Sequence, residues 1–243
     1  MHSVRATPGE GPLFAQVQAL IIQRMVDGIW TPGERLPSEF ALAEEFNVSQ
    51  GTVRKAFDAL VHENLLIRHQ GRGTFIAAHS AKRELYRFFH LVSKDGVTPP
   101  PQTSRLISFE RRKCSAEESR RLKISKSAHV VNIQRVRSMN KAPVIIENIV
   151  VPDALITGLG EDNEIPNELY QLYEQSYGVT IHKAIEHLHA RATTRSEACH
   201  LSLIEGAPLL EIDRLAFTLD GTPVEWRVSR CDTSAHSYLS ELF

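Results

Sequence analysis

The stretch GERLPSEFALAEEFNVSQGTVRKAFDALVHENLLIRHQGRGTFI, residues 33–76, decides the reading of this chain. It spells helix, tight turn, second helix and a two-stranded wing. Leu36-Pro37-Ser38-Glu39 opens the first of these helices. Ser38 can act as N-cap, and the acidic residues after it suit the positive helix end. Ala41, Leu42 and Phe46 supply a buried stripe, and Asn47 can take the left-handed conformation that ends the helix. Ser49 caps the next helix, where Val53, Ala56, Phe57 and Leu60 recur at helical spacing. Its other face carries Gln50, Thr52, Arg54 and Lys55 near the N-terminus. A recognition helix presents its first turns to base edges. Gln suits adenine, Arg suits guanine, and Thr suits a base edge or a phosphate. Leu65–Arg68 and Thr74–Ile76 read as short strands. Between them, Gln70-Gly71-Arg72-Gly73 lets the backbone approach a groove or a phosphate. Upstream, Val17, Leu20, Ile21, Met25 and Val26 give Leu13–Asp27 a helical period, with Gly28 as its stop. This order of parts suits a DNA duplex better than a catalytic pocket.

Composition sets the frame. The chain has 243 residues, 42% hydrophobic and 23% charged, as in a globular protein of one large or two ordinary domains. No apolar run approaches the roughly 20 residues that span a bilayer. The first residues show no export signal. Cys114, Cys199 and Cys231 are far apart and lack zinc spacing, which reads as reduced thiols in a cytoplasmic protein. A net charge of −1 argues against coating nucleic acid by bulk charge. The window 49–73 is locally basic: Arg54, Lys55, Arg68 and Arg72 outweigh Asp58 and Glu63, with His62 and His69 beside them. That is the footprint of a specific binder of modest size.

The motifs G-x-x-L-P-S-E (Gly33–Glu39), V-S-x-x-T-V-R-x-A (Val48–Ala56), L-x-x-x-x-L-L (Leu60–Leu66) and Q-G-x-G-T-F (Gln70–Phe75) occur in order. Together they make Leu13–Ile76 resemble the winged helix-turn-helix domain of GntR-family bacterial repressors. The resemblance implies that Ser49, Thr52 and Arg54 contact phosphates or bases, and that Gln50 and Gly51 face the major groove. It also implies that Gly71 and Arg72 enter the adjacent minor groove. Ser38, Lys55, Gln70 and Thr74 complete the expected DNA-facing set. Two positions depart from the family. Gln50 stands where many members have Arg, which would shift a preference from guanine toward adenine. Phe40 stands where some have a polar residue, so that phosphate contact is missing.

Residues 77–84, small and polar at first, read as a linker between a domain at 1–76 and another at 85–243. Leu85–Val92 is apolar and mixed, and Val97–Gln102 is a proline-rich loop. Beyond it lies an internal repeat at an offset of 79 residues. Leu122–Ile124 recurs as Leu201–Leu203, Val130-Val131 as Leu209-Leu210, Ile133 as Ile212 and Arg135 as Arg214. After one inserted residue, Pro143-Val144 recurs as Pro223-Val224. Each copy reads strand, helix, strand, turn, strand, with turns at Met139–Ala142 and Leu219–Thr222. The expected fold class is therefore α+β, an antiparallel sheet covered by helices.

Arg135 and Arg137, two apart on one strand, point to one face and need an anion, a carboxylate partner or water. Glu147 falls nearly opposite if the turn centres near Lys141, and Glu225 takes the corresponding region of the second copy. Such a face can fix a small polar ligand by charge-assisted bonds. It can equally be an exposed cross-strand ion pair, worth about 0–1 kcal/mol. His182, His187 and His189 fall on one predicted strand and read as surface or cleft histidines rather than a metal site. Tyr170, Tyr173 and Tyr177 recur at helical spacing and read as partly buried on the sheet.

The run R-x-R-x(5)-P-V-x-x-E (Arg135–Glu147), then L-Y-Q-L-Y-E-Q-S-Y-G-V (Leu169–Val179), E-G-x-P-L-L (Glu205–Leu210) and D-G-x-P-V-E (Asp220–Glu225), makes residues 85–238 similar to the UTRA effector-binding domain. That domain belongs to the HutC branch of the GntR family and shares the chorismate lyase fold. The resemblance implies an effector cleft lined by Arg135, Arg137, Glu147 and Glu225, with Tyr177 and Arg230 as further candidates. Relatives often end on a Tyr-Arg-Gly-Asp-Arg-Tyr type run. This chain has Ser229-Arg230-Cys231-Asp232-Thr233, so a sugar phosphate is not a given. A carboxylate or a phosphate suits the two arginines. The expected protein is a homodimeric regulator, a repressor by resemblance, with operator DNA and a small effector as partners and no cofactor or metal. The rival readings are a chorismate-lyase-like enzyme and a ligand-free architectural module. No recognisable acid–base or nucleophile set favours the enzyme.

Overall fold

The computed structural model describes residues 11–77, 90–93, 103–160 and 165–240. It divides into two compact units, Met1–His79 and Ser80–Phe243. Beyond Ala77, the expected linker lies outside the described residues, as do 85–89 and the proline-rich loop.

In the first unit, helices α1 (Leu13–Val26), α2 (Glu39–Phe46) and α3 (Gln50–His62) precede strands β1 (Leu66–His69) and β2 (Gly73–Ile76). Val17 and Ile21 of α1, Leu42 and Phe46 of α2, and Val53, Phe57 and Leu60 of α3 are fully buried. Each such side chain contributes roughly 1.5–3 kcal/mol by leaving water. Local chemistry sets the helix ends. Ser38 Oγ accepts the Ala41 N–H at 3.1 Å, and Ser49 Oγ accepts the Thr52 N–H at 3.1 Å. Asn47 closes α2 at φ 54°. The wing pairs antiparallel, with Arg68 opposite Thr74. Residues before α2 add a third edge: Leu36 N–H donates to Thr74 O at 2.9 Å, and Ile76 N–H donates to Glu34 O at 2.8 Å.

The second unit is built on one antiparallel sheet of six strands in the order β4-β5-β6-β9-β8-β7. These are β4 (Thr103–Lys113), β5 (His129–Met139), β6 (Ala142–Pro152), β7 (Lys183–Ala192), β8 (Pro208–Phe217) and β9 (Pro223–Asp232). The strand order is symmetric about the β6–β9 pair, so the sequence repeat is a pseudo-two-fold in space. Helices α4 (Ala116–Leu122) and α6 (Arg195–Leu201) are its copies. Both open on a capping box, Ser115 with Glu118 and Thr194 with Glu197, and both end on a left-handed residue, Lys123 and Ser202. Each packs on the inner strand of the other half, α4 on β9 and α6 on β6.

Strand alternation then separates two faces. On one face Val130 and Val150 pack with Leu122 of α4. On the other, Val131, Ile133, Ile149 and Val151 pack with Leu169, Tyr170 and Tyr173 of helix α5 (Leu169–Tyr177). The far end of that second face is covered by a ribbon of β3 (Leu91–Ser93) and β10 (His236–Tyr238), whose Leu91 and Tyr238 meet Met139, Ile145, Ile212 and Cys231. Between these two apolar clusters the sheet carries charged residues.

Candidate functional site

The first unit presents an exposed polar face. Ser49, Gln50, Gly51, Arg54 and Lys55 are exposed at the start of α3, and Thr52 is half-buried. Ser49 and Thr52 share a hydroxyl hydrogen bond of 2.9 Å, so one hydroxyl of the pair keeps a proton to donate outward. Glu39 of α2 accepts from Arg54 Nε at 3.0 Å and from Arg68 of the wing at 3.2 Å. One carboxylate therefore ties α3 to the wing. Gln70, Gly71 and Arg72 are exposed at the wing tip, with Thr74 behind them. Gly73 has φ 110°, and a Cβ there would meet Arg35 Nε at 2.8 Å. Only glycine suits that position. Phe40 is 62% exposed on α2.

In the second unit the charged patch between the apolar clusters is buried. Arg135 (1% exposed) sits directly opposite Glu147 across the β5–β6 ladder, and its Nε donates to Glu147 Oε2 at 2.6 Å. Its Nη1 donates to the carbonyls of Pro166 and Asn167 at 3.1 and 3.0 Å, just before α5 begins. Its Nη2 is buried with no partner. Arg137 Nε donates to Asn167 Oδ1 at 3.3 Å, and its guanidinium lies 3.8 Å from Glu147. Ser229 Oγ donates to Glu147 at 3.3 Å.

Two further arginines enter from the other half. Arg227 holds Glu225 by two bonds of 2.9 Å and stands 3.6 Å from Glu147. Arg214, opposite Arg227 in the β8–β9 register, holds Glu186 from Nε at 2.6 Å. Tyr170 and Tyr173 of α5 donate their hydroxyls to Glu225 at 3.0 and 2.9 Å, and Tyr238 donates to Glu186. Burial would raise the Glu147 carboxyl, but the charges of Arg135, Arg227 and Arg137 overcome it and hold the group well below the usual carboxylate range. Burial, then Glu225, pushes both tyrosine hydroxyls up, so they remain neutral donors. Burial raises the Cys231 thiol as well. Such a patch can orient an anion and hydrogen-bond donors; it holds no activated nucleophile.

The two halves of the chain match two family models: bacterial regulatory proteins of the gntR family over residues 13–76, and the UTRA domain over residues 102–237. The chain belongs to the GntR family, in the branch that carries a UTRA domain. It is 32% identical to the transcriptional repressor NagR of Bacillus subtilis over 88% of each chain. It is 29% identical to the histidine utilization repressor of Pseudomonas putida, over 86% of this chain and 84% of that one. The ligand-binding domain of a GntR-family regulator from Bordetella bronchiseptica superposes with TM-score 0.61 at 31% identity, covering 65% of this chain and 99% of that domain. PhnF of Mycobacterium smegmatis, at 21% identity, shares the fold over 93% of this chain and 99% of its own, with TM-score 0.56. The protein is thus a DNA-binding transcriptional regulator of the GntR and UTRA type.

In this regulator Arg135, Arg137, Glu147 and Glu225 are brought together in one buried patch. Arg230 is not among them. Strand alternation turns it to the opposite face, where it pairs with Glu211 at 2.9 Å and Glu197 of α6 at 3.1 Å. Tyr177 packs against the apolar cluster at the C-terminal end of α5, about 12 Å along the helix from the Asn167 end where Arg135 docks. The sequence reading missed Arg214, Arg227 and Glu186 as members of the patch. It had noted that Arg135 aligns with Arg214, and carrying the repeat one strand further reaches Arg227. Tyr170 and Tyr173 were expected to be partly buried; they are fully buried and serve as donors. His187 and His189 are exposed on β7, while His182 lies just before it. No group of three or more metal-binding side chains occurs among the described residues.

Proposed function

We propose that this regulator is a repressor whose operator binding is relieved by a small anionic or polar metabolite held at the Arg135 patch. One observation carries the reading. Arg135 is almost completely buried, yet one of its guanidinium nitrogens has no protein partner. A buried donor without an acceptor costs about 1–3 kcal/mol, so a bound acceptor there would be strongly favoured. Operator contact would come from Ser49, Gln50, Gly51, Thr52, Arg54 and Lys55 at the start of α3 and from Gln70, Gly71, Arg72 and Thr74 of the wing. Ser38 would add a contact at α2. The exposure of the helix residues at a helix start supports this.

The working unit would be a homodimer acting on a two-fold operator in the cytoplasm, with residues 1–76 as the DNA-binding domain, 77–84 as linker and 85–243 as effector domain. No helix among the described residues is long and apolar enough to cross a membrane. The antiparallel sheet with helices on both faces supports kinship with chorismate lyase, as a fold and not as an activity. The effector would act by binding one dimer arrangement better than the other. The test is a gel shift on an operator selected from random duplexes. Purified protein should retard it, and cell-extract metabolites that stabilise the protein against heat should release it. Metabolites that stabilise the protein but leave the DNA complex unchanged would sink the switch.

A further inference from the structure

The chain passes through β3 (Leu91–Ser93) on its way from the first unit to the six-stranded sheet, and little fastens that strand in place. β3 is three residues long. Among the described residues it pairs with β10 (His236–Tyr238) alone, in a two-stranded ribbon outside the large sheet. One further bond, from Leu239 N–H to His90 O at 2.8 Å, extends the ribbon. A two-stranded ribbon this short has no stability of its own and depends on contacts to a larger body.

Two anchors supply such contacts. Leu91, 1% exposed, packs with Met139, Ile145, Ile212 and Cys231, an apolar contact indifferent to charge. The second anchor is Tyr238, directly opposite Leu91 in the ribbon, whose hydroxyl donates to Glu186 of β7. The other oxygen of Glu186 accepts Arg214 Nε at 2.6 Å. Arg214 also engages Tyr170, and Tyr170 and Arg227 both hold Glu225, at 3.0 and 2.9 Å. Arg227 in turn stands 3.6 Å from Glu147. A run of charge-assisted contacts therefore leads from the ribbon into the buried patch. Burial, then Glu186, pushes the Tyr238 hydroxyl up, so it stays a neutral donor.

We propose that Tyr238 is a positioning residue of the regulatory response. Its hydroxyl holds the strand that leads to the DNA-binding unit against Glu186, so a rearrangement of Glu186 and Arg214 on effector binding is passed to that strand through this one hydrogen bond. The proposal rests on the functional reading above, in which the second unit takes an effector that alters operator binding. The ribbon supplies what such coupling requires, a small element with a seated and a released arrangement that both ends can bias. A hydrogen bond to a charged group is stronger than a neutral one, so its loss should lower the seated-to-released ratio by roughly ten-fold or more.

Full-length Tyr238→Phe, which deletes the hydroxyl alone, is compared with the unmodified protein. In hydrogen–deuterium exchange the peptide spanning residues 90–93 should exchange at least about ten-fold faster, while peptides of β5 and β6 keep their protection. Equal protection at 90–93 would overturn the proposal. So would loss of protection throughout the sheet, which would make the hydroxyl a general stability contact. The second arm uses a protein-free extract of bacterial cells that raises the Tm of the unmodified protein. The variant should show a comparable Tm gain, yet its operator complex should survive extract at least about ten-fold more concentrated than releases the unmodified protein. A lost Tm gain would make Tyr238 part of the binding site, and equal release would show that the signal bypasses it; either result ends the proposal. An extract that stabilises the unmodified protein without releasing it from DNA would end the functional reading itself, and the coupling with it.

Discussion

At the scale of single residues, the buried carboxylates dominate. Glu225 is completely buried and accepts from Tyr170, Tyr173 and both arms of Arg227. Glu225→Gln removes the charge and turns an amide N–H₂ toward groups that are themselves donors. Breaking one side of a buried pair in this way costs about 3–5 kcal/mol. Urea unfolding should show that loss, whereas the paired change of Glu225 and Arg227 to leucines should cost far less. Glu147 gives a pH prediction. Its folded carboxyl is held below the unfolded value of about 4.3 by Arg135, Arg227 and Arg137 against the opposing effect of burial. A depressed folded value means the stabilisation is complete above about pH 4.3 and is lost as pH falls below it. Glu147→Gln should therefore flatten the fall in stability between about pH 5 and pH 3, measured as urea midpoints. The Arg135–Glu147 pair was legible in the sequence because a local hairpin sets its register. Arg214 and Arg227 join the patch only through the β6–β9 pairing, which no local turn dictates. The tyrosine hydroxyls were illegible for the same reason: their partner Glu225 is far away in sequence.

At the scale of elements, turns and caps carry the specification. The first hairpin turns on Asn140 and Lys141 at φ 50° and 67°, the two positive values that a two-residue turn of type I′ demands. Asn adopts that conformation at little cost, whereas Lys incurs the Cβ clash that glycine avoids. Lys141→Gly should raise stability by about 0.5–1 kcal/mol, read as a higher urea midpoint with unchanged cooperativity. The turn's position was readable from Pro143 and the flanking alternation. The duplicated S/T-x-x-E caps of α4 and α6, Ser115 and Thr194, escaped the sequence analysis although they mark the same 79-residue offset as the strands. In the first unit, Glu39 is the element-level linkage. Its ion pairs with Arg54 and Arg68 are partly exposed and worth little in stability. Their geometric effect is larger, since they aim two cations from different elements. Glu39→Gln should leave the unfolding midpoint almost unchanged while weakening operator affinity several-fold. Equal operator affinity in the variant would show that the two arginines need no common anchor.

At the scale of the whole molecule, duplication explains both the sheet and the uneven distribution of function within it. Two strand–helix–strand–strand copies meet at β6 and β9, and each lends its helix to the other's inner strand. Repeating the same fold does not repeat the site. Arg135 faces Glu147, whereas its copy Arg214 faces Arg227, so the second half has a surplus arginine that must be balanced by Glu225 and Glu186. The copies have diverged: Arg135 keeps one buried nitrogen without a partner, whereas Arg227 and Arg214 pair with Glu225 and Glu186. Fold and family were legible because they rest on local motifs and on the offset. This asymmetry was not, because it depends on which residues become neighbours across the pseudo-two-fold. The two units then predict separable losses. Arg54→Ala removes a cation from the exposed start of α3 and should weaken operator binding by about 1–3 kcal/mol, with the thermal response to effector intact. Arg135→Ala changes a residue of the second unit and should leave operator affinity in place while abolishing effector release. Gel shifts on both variants, with and without the stabilising metabolite, decide this. An Arg135→Ala protein that folds and still lets go of DNA on adding effector would place the sensing site elsewhere in the second unit.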